Sequence, residues 1–182
     1  MSDGLTVRYA EAGDAAAIAT LHADSWRRHY RGAYADAYLD GDLDCDRLAV
    51  WTARLDRTNA NSVTVLAESQ DLLVGFVHAL VAHDPRWGSL IENLHVRHDR
   101  HRQGIGRRLM LEAAKEIGRA SQGAPLHLWV LQQNLRAQTF YRALGGTCIE
   151  EAPCPAPGGV PDRLAGAPTR LRFLWHAAAD LA

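Results

Sequence analysis

The sequence has no apolar run approaching the roughly 18 residues needed to span a bilayer as a helix. It also opens without the basic and then apolar segments of a secretory leader, since Met1-Ser2-Asp3-Gly4 offers neither. Both absences make the cytoplasm the expected compartment and exclude a membrane partner. Charge of one sign is lacking too. The 20 Lys and Arg against 21 Asp and Glu leave a formal net charge of -1, so no broad basic field is available for nucleic acid. Cysteine is sparse: Cys45, Cys148 and Cys154 are odd in number and far apart. They give no disulfide framework, no zinc spacing and no supported nucleophile, and read as free thiols. The nine histidines form no convincing ligand cluster, so no metal is expected.

What is present is one domain's worth of ordinary globular chain, 182 residues long. Leu5 to Tyr9 alternates apolar and polar residues as a strand does, and Asp14 can cap the helix after it. Trp26, Tyr30, Tyr34 and Tyr38 follow at a spacing of four, as on a helical stripe. Residues 47–55 form a second helical pattern. Ser62 to Glu68 and Leu72 to Ala82 read as a hairpin, and Ser89 to Val96 as a further strand. Ile105, Leu109, Ala113 and Ile117 line one stripe of a helix over 105–119. A strand over Leu126 to Leu131, a helix over Asn134 to Leu144 and two strands, Thr147 to Glu151 and Thr169 to Trp175, complete the chain. The Pro- and Gly-rich stretch from Ala152 to Pro168 is too long for a hairpin turn and reads as a functional or mobile loop. The order β, α, α, β, β, β, α, β, α, β, β predicts a single α/β (α+β) domain over 1–182 around a mixed, mostly antiparallel sheet.

The strongest local signal is Arg100-His101-Arg102-Gln103-Gly104-Ile105-Gly106-Arg107-Arg108, between a strand and a helix. Glycines at 104 and 106 let backbone N–H groups approach a ligand. The free N–H groups and positive dipole end of the helix attract anions. Arg107 and Arg108 sit in the first helical turn, where a cation costs roughly 0.3–1 kcal/mol. A bound diphosphate would reverse that cost. There is no Gly-Lys-Ser/Thr for a P-loop and no third glycine for a dinucleotide fold.

This segment resembles the pyrophosphate loop of the GNAT superfamily of N-acetyltransferases, Arg/Gln-x-x-Gly-x-Gly/Ala, matched here by His101-Arg102-Gln103-Gly104-Ile105-Gly106. His101 departs from the usual first residue. A second segment resembles the same superfamily: Val130 to Asn134, then Ala137, then Phe140-Tyr141-Arg142-Ala143-Leu144-Gly145-Gly146, with Gly146 where Phe is usual. The resemblance implies a central sheet with acetyl-CoA, the cosubstrate, in a cleft between splayed strands near Val96 and Leu128. It implies that Leu94, His95 and Val96 pair with pantetheine through backbone. It implies that His101, Arg102, Gln103, Gly104, Ile105, Gly106 and Arg107 hold the diphosphate. Asn134 would bind the cofactor and Tyr141 would protonate the leaving thiolate. Asn134 also suits a helix N-cap, and Tyr141 a core position.

On the strand before the glycines, simple alternation puts Glu92 with Leu90, Leu94 and Val96. Desolvation there would raise its pKa toward that of a general base for an ammonium substrate. His95, on the other face, and His78 are alternatives. The first two helices and the 152–168 loop would shape the acceptor pocket, with Trp26, Tyr30 and Tyr34 lining it for a small amphipathic or cationic amine. The expected reaction is direct attack by a primary amine on acetyl-CoA in a ternary complex. Acetylation of a protein N-terminus or lysine, or acyl-CoA binding without turnover, are the competing readings. A homodimer is compatible with the sequence, which shows no specific seam for one.

Overall fold

The computed structural model of the protein describes residues 4–56, 61–121 and 123–181. Met1, Ser2 and Asp3, where a leader would begin, lie outside them. Seven strands form one sheet in the order β1-β2-β3-β4-β5-β7-β6. They are β1 (Leu5–Tyr9), β2 (Ser62–Ser69), β3 (Leu72–Asp84), β4 (Gly88–Val96), β5 (Leu126–Leu131), β6 (Thr147–Pro153) and β7 (Thr169–Trp175). Among the described residues five α-helices accompany them: α1 (Ala15–His29), α2 (Asp36–Leu39), α3 (Leu43–Asp56), α4 (Ile105–Ala120) and α5 (Leu135–Ala143). The expected order holds, with the short α2 added. Every strand pair is antiparallel except β4–β5. No described helix is long and apolar enough to cross a membrane.

Helices pack on both faces of the sheet, because apolar side chains occur on both sides of β2 and β3. On one face, Val65, Val77, Ala79, Ile91, Leu128 and Phe173 pack against the stripe Ile105, Leu109, Ala113 and Ile117 of α4. Each such buried aliphatic side chain contributes roughly 1.5–3 kcal/mol. On the other face, Leu66 and Phe76 meet Ile18 and Leu21 of α1 and Trp51 of α3.

The parallel pair depends on a close backbone approach. Gly88 has φ +72°, and a Cβ there would fall 2.0 Å from the Pro125 carbonyl oxygen. The next residue, Ser89, donates its N–H to that same oxygen at 3.0 Å, which starts the pairing with β5.

Two sequence expectations are corrected. Trp26, Tyr30, Tyr34 and Tyr38 do not share a helix: α1 ends at His29, and Gly32 turns the chain with φ +81°. The rings meet instead as a tilted and edge-on cluster, with centroids 4.9–5.3 Å apart between Trp26, Tyr30 and Tyr34. The 152–168 stretch is also anchored. Tyr34 bridges to Leu164, Arg163 reaches Asp46 at 3.1 Å, and the Cys154 side chain is buried beside Tyr34.

Candidate active site

The β4–β5 ladder has only three pairs, ending at Ile91 with Leu128. Both strands run on, to Val96 and Leu131, so the backbone edges of Glu92–Val96 and Trp129–Leu131 face each other unpaired. The wedge between them opens a cleft of about 570 Å³, bounded by the start of α4, by α5 and by the end of α1. The splay expected between these strands is therefore present, with its vertex at Ile91 and Leu128.

One end of the cleft meets the start of α4. Arg108 is the first residue of α4 whose N–H is bonded within the helix, to the Gly104 carbonyl at 3.0 Å. The N–H groups of Ile105, Gly106 and Arg107 are left free. Gly104 caps the helix at φ +77°, and no atom lies within 4 Å of where its Cβ would be. The space above it is open. Gly106 serves a different end, since a Cβ there would sit 3.3 Å from the Phe140 ring, so its absence lets α4 and α5 close together. Arg100, Arg102, Arg107 and Arg136 line the cleft, and none forms an ion pair among the described residues. Gln103 and Arg108 are exposed and do not line it. Arg136 went unread in the sequence, although it shows the signal that marked Arg107, a cation in the first turn of a helix.

His101 has a defined part. Its Nε2–H donates to the Val96 carbonyl at 2.9 Å, tying the loop to the end of β4. Burial holds the ring below its ordinary pKa, so it is neutral and its Nδ1 is an acceptor. That Nδ1 is buried and has no partner among the described residues. His29 stacks near it with ring centroids 6.0 Å apart.

At the vertex the register slips by one residue. His78 of β3 pairs with Asn93 and Ala79 with Ile91, so Glu92 is the extra residue of a bulge. The expected alternation is broken there. Leu94 and Val96 pack on the α4 face, whereas Glu92 turns to the opposite one, where Arg54 of α3 holds its carboxylate at 2.6 Å. His78 Nε2 is 3.8 Å from the same carboxylate. Its side chain is 34% exposed, so Glu92 is not the desolvated carboxylate among apolar neighbours that alternation implied. It does line the cleft, as do Leu94 and Val96.

His95, like Glu92, is on the face away from α4, opposite Phe76. Its Nδ1 is 2.7 Å from the Ser25 hydroxyl, and both residues line the cleft. Burial pulls His95 down to about 3 and His78 down to about 4, and holds His22, which packs against His95, well below its ordinary value. Ser25 was not singled out in the sequence; it and His29 flag themselves only as polar residues one turn apart on the inner side of α1.

From the other wall come α5 and the aromatic cluster. Asn134 caps α5, its Oδ1 accepting the Ala137 N–H at 3.1 Å, and it lines the cleft. Tyr141 is 8% exposed, packed against Phe173 and Trp175, and reaches the cleft as well. Burial raises its pKa, and its hydroxyl has no hydrogen-bond partner among the described residues. The N-cap reading of Asn134 and the core reading of Tyr141 are thus both observed, and both residues also reach the cleft. Gly146 is explained by Trp175, whose indole lies 2.6 Å from where a Cβ would be. Of the aromatic trio, Tyr30 lines the cleft; Trp26 and Tyr34 are 7% and 8% exposed and belong to the core beneath it. Among the described residues no group of three or more His, Cys, Asp or Glu is placed to hold a metal.

The sequence profile of the Acetyltransferase (GNAT) family matches residues 17–145. A splayed β4–β5 pair, a free helix start and matched residues over most of the chain define the class: the chain belongs to the acetyltransferase (GNAT) family. No curated protein sequence matches it. Among solved structures it is similar to the PaiA N-acetyltransferase of Thermoplasma acidophilum in complex with coenzyme A, at 17% identity and a TM-score of 0.74, over 94% of this chain and 99% of that one. It is similar to the yncA protein of Salmonella typhimurium with its cofactor acetyl-CoA, at 19% identity and a TM-score of 0.67, over 94% and 93%. An N-acetyltransferase of Staphylococcus aureus Mu50 matches at 13% identity and a TM-score of 0.68, over 94% and 98%. At these identities the likeness is one of fold.

Proposed function

We propose that the protein is a single-domain N-acetyltransferase that transfers acetyl from acetyl-CoA to the primary amine of a small molecule. The observation that carries this reading is the junction of an unpaired strand edge with a free helix start ringed by unpaired arginines. The edge can pair with an extended amide-bearing arm, as a sheet edge accepts a strand. The helix start and Arg100, Arg102, Arg107 and Arg136 can neutralise a diphosphate. The open space over Gly104 and the unpartnered acceptor at His101 Nδ1 fit such a ligand. The Leu94–Val96 backbone, Asn134 and Ile105 complete its contacts.

Acetyl-CoA supplies, when bound, a thioester carbonyl that an amine can attack. Glu92, held at the vertex by Arg54, takes a proton from the incoming ammonium, directly or through one water. Tyr141 gives a proton to the departing thiolate; burial keeps its phenol protonated, which suits a donor. Attack is direct, without an acyl-enzyme. Tyr30 and Ser25 border the acceptor end. Two exposed free thiols, Cys45 and Cys148, accord with a reducing, cytoplasmic setting.

Calorimetric titration with acetyl-CoA tests the reading, with NADH and ATP as controls. Binding in the micromolar range is expected for the wild type alone. In Gly104→Glu a carboxylate would enter the open space at the helix start and meet the diphosphate, so binding should be lost. No acetyl-CoA binding by the wild type would overturn the reading.

A further inference from the structure

Glu92 and Trp129 are the first residues past the last β4–β5 pair, so they face each other across the vertex, and both line the cleft. In the β5–β7 ladder Trp129 lies opposite Arg172, and Leu131 opposite Arg170. Trp129, Arg170 and Arg172 therefore share one face of the sheet. Both guanidinium groups lie over the Trp129 ring, at 4.1 Å for Arg170 and 4.2 Å for Arg172.

The two cations differ in what balances them. Arg172 donates to the Glu150 carboxylate at 2.7 Å. Arg170 has no carboxylate within ion-pair reach among the described residues, and its Nε is buried without an acceptor. Cys154 and Tyr34 lie nearby, but burial raises the pKa of both, so neither supplies a negative charge at neutral pH. Burial lowers the pKa of Arg170 too, yet a guanidinium stays charged. A half-buried cation with an empty donor is costly unless an anion completes it. The ring beneath it is shared with the cleft.

Resting on the acetyl-transfer reading above, we propose that Arg170, on the Trp129 platform, binds an anionic group of the acceptor. The acceptor is then a small amine that also carries a carboxylate or phosphoryl group. Its nitrogen lies toward Glu92 and its acidic end toward Arg170. Planar, two-pronged donation by a guanidinium suits either oxyanion.

Matched acceptors test this: α-amino acids, their carboxamides, and the corresponding aminophosphonates, followed by thiol release from acetyl-CoA. The acids should exceed the amides about 10- to 100-fold in kcat/KM, as expected for one charge-assisted contact. The better of carboxylate and phosphonate identifies the oxyanion. Arg170→Met should erase the preference by raising KM for the acids while leaving the amides unchanged. Arg170→Lys should restore part of it, and still tests the charge if Arg170→Met does not fold. Amides used as well as acids by the wild type, equal loss on both by Arg170→Met, or no turnover of any acidic amine would overturn the assignment. Calorimetry with acetyl-CoA separates the two claims. Failure to bind it refutes acetyl transfer itself, whereas binding with acetylation of neutral amines alone refutes only the role of Arg170.

Discussion

Replacing Tyr141 by Phe removes one oxygen and nothing else from a packed ring. The ring sits in the core, with its centroid 5.3 Å from Phe140, 5.8 Å from Phe173 and 6.3 Å from Trp175. Phe keeps those contacts, whereas Ala would give up roughly 3–5 kcal/mol. The hydroxyl has no protein partner among the described residues, so its loss strands no donor or acceptor. Stability should therefore stay within about 0.5 kcal/mol of wild type. Chemistry should not be spared. A positioned acid contributes about 10²–10⁴-fold, or roughly 3–5 kcal/mol of barrier. The expected signature in Tyr141→Phe is a fall of that size in kcat, with an unchanged Kd for acetyl-CoA by calorimetry and an unchanged urea midpoint. Burial raises the pKa of Tyr141, so it remains a donor at neutral and mildly alkaline pH. Wild-type kcat should show no loss there from ionisation of this phenol. Retention of kcat within about threefold, with acetyl-CoA binding intact, would refute the assignment of Tyr141 as the acid.

Two further outcomes follow from the same geometry. Glu92→Gln keeps the shape and the polar contact to Arg54 but cannot take a proton, so kcat with an amine acceptor should fall about 10²–10⁴-fold. The ion pair is 27% and 34% exposed, so stability should change by less than about 1 kcal/mol; near-wild-type turnover would remove Glu92 from the chemistry. Stability should also fall between pH 7 and pH 5. His22, His78 and His95 are held below the ordinary 6.5 by burial, so below that value the unfolded chain binds protons the folded one refuses. Each costs up to about 1.4 kcal/mol per pH unit, with the loss complete only near about 4 for His78 and about 3 for His95. Asp14 and Asp40 have values below 3.8 and contribute no loss in this window. Urea unfolding that is flat from pH 7 to pH 5 would contradict the burial of these rings.

The order of elements was legible because strands and helices impose different periods, and both are clean here. The stripe Ile105, Leu109, Ala113, Ile117 and the alternation from Leu5 to Tyr9 leave little choice. The glycine- and arginine-bearing start of α4 stood out in the sequence for another reason. Cations in the first turn of a helix violate a local rule, and the glycine at 104 removes a side chain where φ is positive. The aromatic run misled because a spacing of four imitates a helix even when the chain turns at Gly32. Ser25 carries no local violation, and Arg136, though it breaks the same first-turn rule, has no glycine pair beside it; only the meeting of α1, α4 and α5 brings both to the cleft. The anchoring of the 152–168 stretch rests on contacts with Ala33, Tyr34 and Asp46, more than a hundred residues away in sequence.

The bulge at Glu92 is the least legible feature and the one with the largest consequence. Nothing in Ile91-Glu92-Asn93 is a glycine or proline, so the sequence carries no local mark of it. Without the extra residue, strict alternation would set Glu92 on the face of Leu94 and Val96, against α4. A carboxylate there would face the apolar core with no cation, a costly burial. With it, Leu94 and Val96 keep the core face while Glu92 crosses to Arg54. The slip falls one residue past the last β4–β5 pair. The same stretch of chain therefore frees a backbone edge for a ligand and aims a carboxylate at the opposite face, where Trp129 and Arg170 stand. A regular strand could supply either feature, but it could not supply both at one vertex.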